Sequence, residues 1–233
     1  MSRITRKELK SDKFALEVEH TVTFFEEHRQ EIIRYGGIGL AVVALIVGYM
    51  VYRGHQHTAR EEALTQALKV QEAPVGAPAS PGALSFPTQD AKDAEALRVF
   101  GEMLKQYPGS AEAEVAQYYT GSIQADQGKL AEAEKSFQEV SQKGDAQYAS
   151  LAKLSLAQIY FSDGRNSQGE AMLRDLMAHP TLFVSKDQAT LTLARYLIVK
   201  NPAEARKLLD PLRTVKGSVG QVAITLYAEL PPQ

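Results

Sequence analysis

The side chains able to support chemistry are scattered along this chain. Histidine stands at His20, His28, His55, His57 and His179. Two ligands on one helix face must be three or four residues apart, whereas His55 and His57 are separated by two, so they are not expected to share a metal. Glu132, Glu134 and Glu139 fall where solvated helix faces are expected. No nucleophile elbow, phosphate-binding loop or paired-acid motif accompanies them. The absence of cysteine excludes thiolate catalysis, disulfides and cysteine-ligated metals, without fixing the redox compartment. The expectation is therefore a chain that is not an enzyme, with no cofactor and no resident metal. Aromatic and apolar side chains at helical spacing remain, and their chemistry is the recognition of other proteins.

With 233 residues, 44% hydrophobic and 23% charged, the composition is that of a folded protein with room for one medium domain plus appendages. The formal net charge of -2 and a pI near 6.2 leave no excess of positive charge to neutralise a phosphate backbone. Nucleic acid is not an expected partner.

Residues 35–52 read YGGIGLAVVALIVGYMVY, an uncharged run closed by Arg34 and Arg53. At 1.5 Å per residue it reaches roughly 27 Å, close to the hydrocarbon thickness of a bilayer, with Tyr35, Tyr49 and Tyr52 where interfacial aromatics belong. It is apolar on every face, unlike the core helix of a soluble domain, which keeps a polar stripe. A charge-rich segment precedes it and no small-x-small cleavage site follows it, so a retained single span is expected rather than a removed signal. Gly37 with Ala41 and Ala44 with Gly48 lie four apart, the spacing at which small residues let another transmembrane helix approach.

Residues 1–34 carry Arg3, Arg6, Lys7, Lys10, Lys13, Arg29 and Arg34, against Arg53, Arg60 and Lys69 in residues 53–86. That bias predicts a cytoplasmic N-terminus. Phe14, Val18, Val22 and Phe25 recur at helical spacing and predict an amphipathic helix within 1–34. Residues 53–72 are rich in helix formers with apolar positions such as Leu64, Ala67 and Leu68, and predict a first solenoid helix. Residues 73–89 hold Pro74, Pro78, Pro81 and Pro87, so the helix must stop and a flexible loop is expected.

From residue 90 to 233 the chain repeats itself. Gly128 and Gly164 lie 36 apart (164 − 128), as do Gly121 and Ala157. Ala133, Gly169 and Ala205 keep the same interval, with Phe137, Leu173 and Leu209, and with Val140, Leu176 and Leu212. A fixed period of this length in a helical sequence predicts stacked hairpins, each burying its apolar face on its neighbour. In the third copy Lys200, Asn201 and Pro202 replace the turn glycine, so an irregular hairpin is expected there. GSVGQVAITLYAEL, residues 217–230, is expected to cap the stack.

The spacing and residue types resemble the tetratricopeptide repeat. The resemblance implies an all-α fold, with about four hairpins following one N-terminal transmembrane helix and a C-terminal capping helix. It implies a protein-binding groove lined by Val115, Tyr118, Ser122 and Ala125, then Leu151, Leu154, Gln158 and Phe161, then Asp187, Thr190, Ala194 and Leu197. Tyr118 and Phe161 are its expected aromatic anchors. The order of segment VEHTVTFFEEHRQ, single span and divergent repeats further resembles the bacterial ancillary Sec-translocon subunit (YfgM-like) family. That likeness implies an inner-membrane adaptor whose repeats face the periplasm and link the translocon with periplasmic chaperones. The alternative is a self-associating envelope or cell-wall-linked scaffold without translocon contact, and homo-oligomerisation stays open.

Overall fold

A computed structural model describes residues 29–232 apart from Ala79 and Pro81. The amphipathic stripe expected around Phe14 to Phe25 lies outside the described residues. The described chain is all-helical: α1 (Arg29–Glu72), α2 (Gln89–Gln106), α3 (Ala111–Asp126), α4 (Leu130–Lys143), α5 (Ala146–Ser162), α6 (Asn166–Ala178), α7 (Lys186–Lys200), α8 (Pro202–Leu209), a 3-10 turn (Leu212–Thr214) and α9 (Ser218–Ala228). Two compact units divide it, one up to Ala59 and one from Arg60 onward.

In the first unit α1 is long and apolar enough to cross a membrane, and none of its apolar stretch is buried. α1 runs from Arg29 to Glu72, so residues 53–72, expected as a first solenoid helix, are helical, and the helix stops just before Pro74.

The second unit is a stack of helical hairpins. The last turns of α1 supply Ala67, which packs with Ala96, Phe100 and Met103 of α2 and with Ala116 and Ile123 of α3. The intervening loop has pinned ends: Gly76 N–H donates to the Phe86 carbonyl at 2.8 Å and Phe86 N–H to the Pro74 carbonyl at 3.0 Å. Pairs α3/α4, α5/α6 and α7/α8 follow, and α9 packs back on α7 and α8. Five of the helices start where a short polar side chain accepts a free backbone N–H: Thr88, Ser110, Asp145, Ser185 and Asn201. The first two of the repeated turns need a left-handed residue, with φ of 74° at Gly128 and 75° at Gly164. At the third, Asn201 ends α7 and caps α8, with Pro202 in its first turn, which shortens the hairpin as its sequence predicts.

Every repeated apolar position lands inside. Phe137, Val140, Leu173, Leu176, Leu209 and Leu212 are all buried. A Cβ at Gly121 would stand 3.0 Å from Phe137 and Ser136, so glycine there lets α3 approach α4 without displacing those side chains. Adjacent hairpins are also tied by charge. Arg165 donates to both oxygens of Glu134 at 2.7 and 2.6 Å and lies over the Tyr160 ring at 4.3 Å. The Arg165 guanidinium holds the Glu134 carboxyl below the usual carboxylate range.

Candidate functional site

The first helices of the hairpins, α3, α5 and α7, carry the residues expected to line a groove. On α3, Val115, Tyr118, Ser122 and Ala125 are half-buried. On α5, Leu151 and Phe161 are half-buried, Gln158 is exposed and Leu154 is buried. On α7, Asp187 is half-buried while Thr190, Ala194 and Leu197 are buried. The structure therefore does not assemble these positions into one open surface. Leu154, Ala194 and Leu197 belong to the core cluster that α5, α6, α7, α8 and α9 build together, so they are packing residues of the stack.

The two expected anchors are packing residues as well. Phe161 stacks on Tyr196 with ring centroids 3.8 Å apart, joining α5 to α7. A Cβ at Gly169 would meet the Phe161 ring at 2.6 Å, so glycine on α6 makes room for that ring. Tyr118 is the hub of an aromatic ladder. Its centroid lies 5.7 Å from Tyr119, 5.6 Å from Phe137 and 5.6 Å from Tyr148. Phe100 stacks on Tyr119 at 5.6 Å and Phe183 meets Tyr148 edge-on at 5.5 Å. Such pairs each add about 0.5–1.5 kcal/mol beyond buried area. Burial pushes the Tyr118 hydroxyl above its ordinary value, opposed by a hydrogen bond with Ser155, so the phenol stays neutral at physiological pH.

Two surfaces were not anticipated from sequence. The loop between α6 and α7 holds Leu182 86% exposed on a fixed backbone: Gln147 Oε1 accepts from the Leu182 and Phe183 N–H groups at 3.0 and 3.3 Å, and the Ser150 and Thr181 hydroxyls meet at 2.7 Å. The second surface is a groove between α7 and α9, formed by adjoining cavities of about 340 and 350 Å³. Leu191, Thr192 and Arg195 line it from α7, and Val219, Val222 and Leu226 from α9. These α7 positions are offset by about one residue from the predicted Thr190, Ala194 and Leu197.

Residues 23–211 match the sequence model of the tetratricopeptide repeat-like domain. The chain belongs to that family. No curated protein and no solved structure matches the chain. The span that matches this tetratricopeptide repeat-like family includes the apolar stretch as well as the hairpins through α8. A domain of this kind is a protein-interaction fold, and the family match suggests protein partners. On α1, Gly37, Ala41, Ala44 and Gly48 are all exposed, and a Cβ at Gly37 or Gly48 would meet nothing within 4 Å.

The titratable groups do not converge. His179 pairs with Asp175 at 3.0 Å on the surface, and His20 and His28 lie outside the described residues. Glu132 and Glu139 are exposed, and Glu134 is engaged by Arg165. Among the described residues no three His, Cys, Asp or Glu side chains come together as a metal site.

Proposed function

We propose that this chain is a membrane-tethered adaptor, its apolar helix anchoring it in a bilayer and its tetratricopeptide repeat-like domain recruiting other proteins. The observation that carries this reading is the pairing, in one chain, of an unburied helix long enough to span a membrane with a self-contained stack of hairpins. The apolar stretch has no core of its own to enter, so a lipid environment is what lowers its free energy. The lysine and arginine bias supports a cytoplasmic N-terminus, with the repeats on the periplasmic side of a bacterial inner membrane. The likeness in domain order supports the Sec translocon as the membrane complex and periplasmic chaperones as the soluble partners.

The test is a mild-detergent pulldown from membranes through a C-terminal tag, read by mass spectrometry against a chain lacking residues 1–53. Translocon subunits lost on truncation, with chaperones retained, would support the adaptor. Recovery of cell-wall machinery, or of the chain alone, would retire the translocon link and favour the scaffold alternative.

A further inference from the structure

We infer that the loop between α1 and α2 is a processing site, cut at the Ala83–Leu84 bond by an endoprotease that prefers small residues, and that the two pieces stay associated because the last turns of α1 are docked into the repeats. That loop is the longest connection between helices among the described residues. Ala83 to Ser85 belong to no helix or strand, and Leu84 is 49% exposed. A protease needs accessible backbone that can be drawn out straight, which an exposed loop supplies and a hydrogen-bonded helix does not. The α6–α7 loop, by contrast, is fixed by Gln147. No lysine or arginine stands between Lys69 and Lys92, so enzymes that cut after a cation are excluded. Gly82 and Ala83 instead offer what a small specificity pocket accepts. Hydrolysis consumes one water: its hydroxyl goes to the Ala83 carbonyl carbon, its proton to the Leu84 nitrogen, and the C–N bond between them breaks.

Docking rests on the residues either side of the cut. The compact repeat unit begins at Arg60, not at α2. Ala67 and Ala73 are 1% and 6% exposed, and Leu64, Leu68 and Val70 pack against the cluster built around Phe100 and Met103. Arg60 pairs with Glu112 of α3 at 3.7 Å. The hydrogen bonds that join Gly76 and Pro74 to Phe86 close the loop at its base, so hydrolysis at its tip spares them. After the cut, the repeats are joined to the apolar stretch through side-chain packing instead of a continuous chain. The strength of that joint, set by residues 60–73, decides whether processing releases them. Only the membrane location of the joint rests on the proposed anchor.

The test uses the full-length, C-terminally tagged chain in non-ionic detergent, exposed briefly to pancreatic elastase. Intact mass should show one early cut, giving residues 1–83 and 84–233, and Ala83→Asp should slow it roughly tenfold or more. Captured through the tag, the 84–233 piece should retain the 1–83 piece in equal amount. Ala67→Glu, which forces a charge into the cluster, should lower the retained amount roughly fivefold or more. If that variant costs the uncut repeats their protease resistance, the chain carrying Leu64→Ala and Leu68→Ala replaces it, with the same expected loss. A first cut elsewhere would overturn the site. Release of the 1–83 piece from the nicked wild-type chain would overturn the docking. Sedimentation of the uncut chain with membranes reads the anchor separately, so its failure leaves both results standing.

Discussion

Leucine behaves in opposite ways in the two units of this chain. Leu40 and Leu45 on α1 are 75% and 74% exposed, whereas Leu156 and Leu173 in the repeats are completely buried. Each exposed Å² of apolar surface in water forfeits about 25 cal/mol, so water suits the surface of the repeats better than that of the apolar stretch. The repeats make their own apolar interior by stacking hairpins. The apolar stretch of α1 makes none among the described residues, as a helix bound for a bilayer would not.

The largest test of that contrast is Phe137→Ala. Phe137 touches Tyr118 and fills the space beside Gly121, so its loss should cost the repeat domain about 3–5 kcal/mol. The urea midpoint of the domain should fall while membrane fractionation stays unchanged. Leu45→Arg should do the reverse: a central arginine costs about 2.5–3.5 kcal/mol of helix insertion. The protein should then become extractable by alkaline carbonate, with the protease resistance of the repeats retained. Should Leu45→Arg instead unfold the repeats and leave the chain in the membrane fraction, the contrast would be wrong.

A smaller effect should separate the regular hairpins from the C-terminal cap. A Cβ at Gly220 would collide with the Val215 carbonyl oxygen, backbone that cannot swing aside. Gly220→Ala should therefore cost about 1–3 kcal/mol by overpacking, seen as faster amide exchange confined to α9 and its contacts. Equal acceleration in α3 and α4 would mean that the cap and the hairpins unfold together. The smallest effect concerns acid. Because Arg165 lowers the folded value of Glu134, the pair's contribution is complete above the unfolded glutamate value of about 4.3. It is lost as pH falls through the lower folded value. Glu134→Gln should flatten the dependence of stability on pH in that acid range, measured by urea titrations between pH 3 and 7, and should leave the rest of the profile alone.

Much of the fold was legible because a repeat states its own alignment. The 36-residue interval named Phe137, Leu173 and Leu209 as equivalent, and all three are buried. The turn glycines were readable because a left-handed backbone admits little else. The groove was less so. The repeat pattern places Thr190, Ala194 and Leu197 on a groove-facing side, but all three are buried in the structure. Phe161 has the type of an anchor residue, but Tyr196 lies flat against it.

Residue type and spacing alone determined that there would be one membrane-length apolar helix, a stack of helical hairpins, and an irregular third turn at Asn201-Pro202. Those are properties of single elements and of their periodic faces. Tertiary structure decided that Gly220 lies hard against the turn before it, and that Arg195 and Val222 open onto a groove. The reason is geometric: an apolar stripe dictates that a helix has an inner face, but the edges of that face are set by the neighbour that covers it.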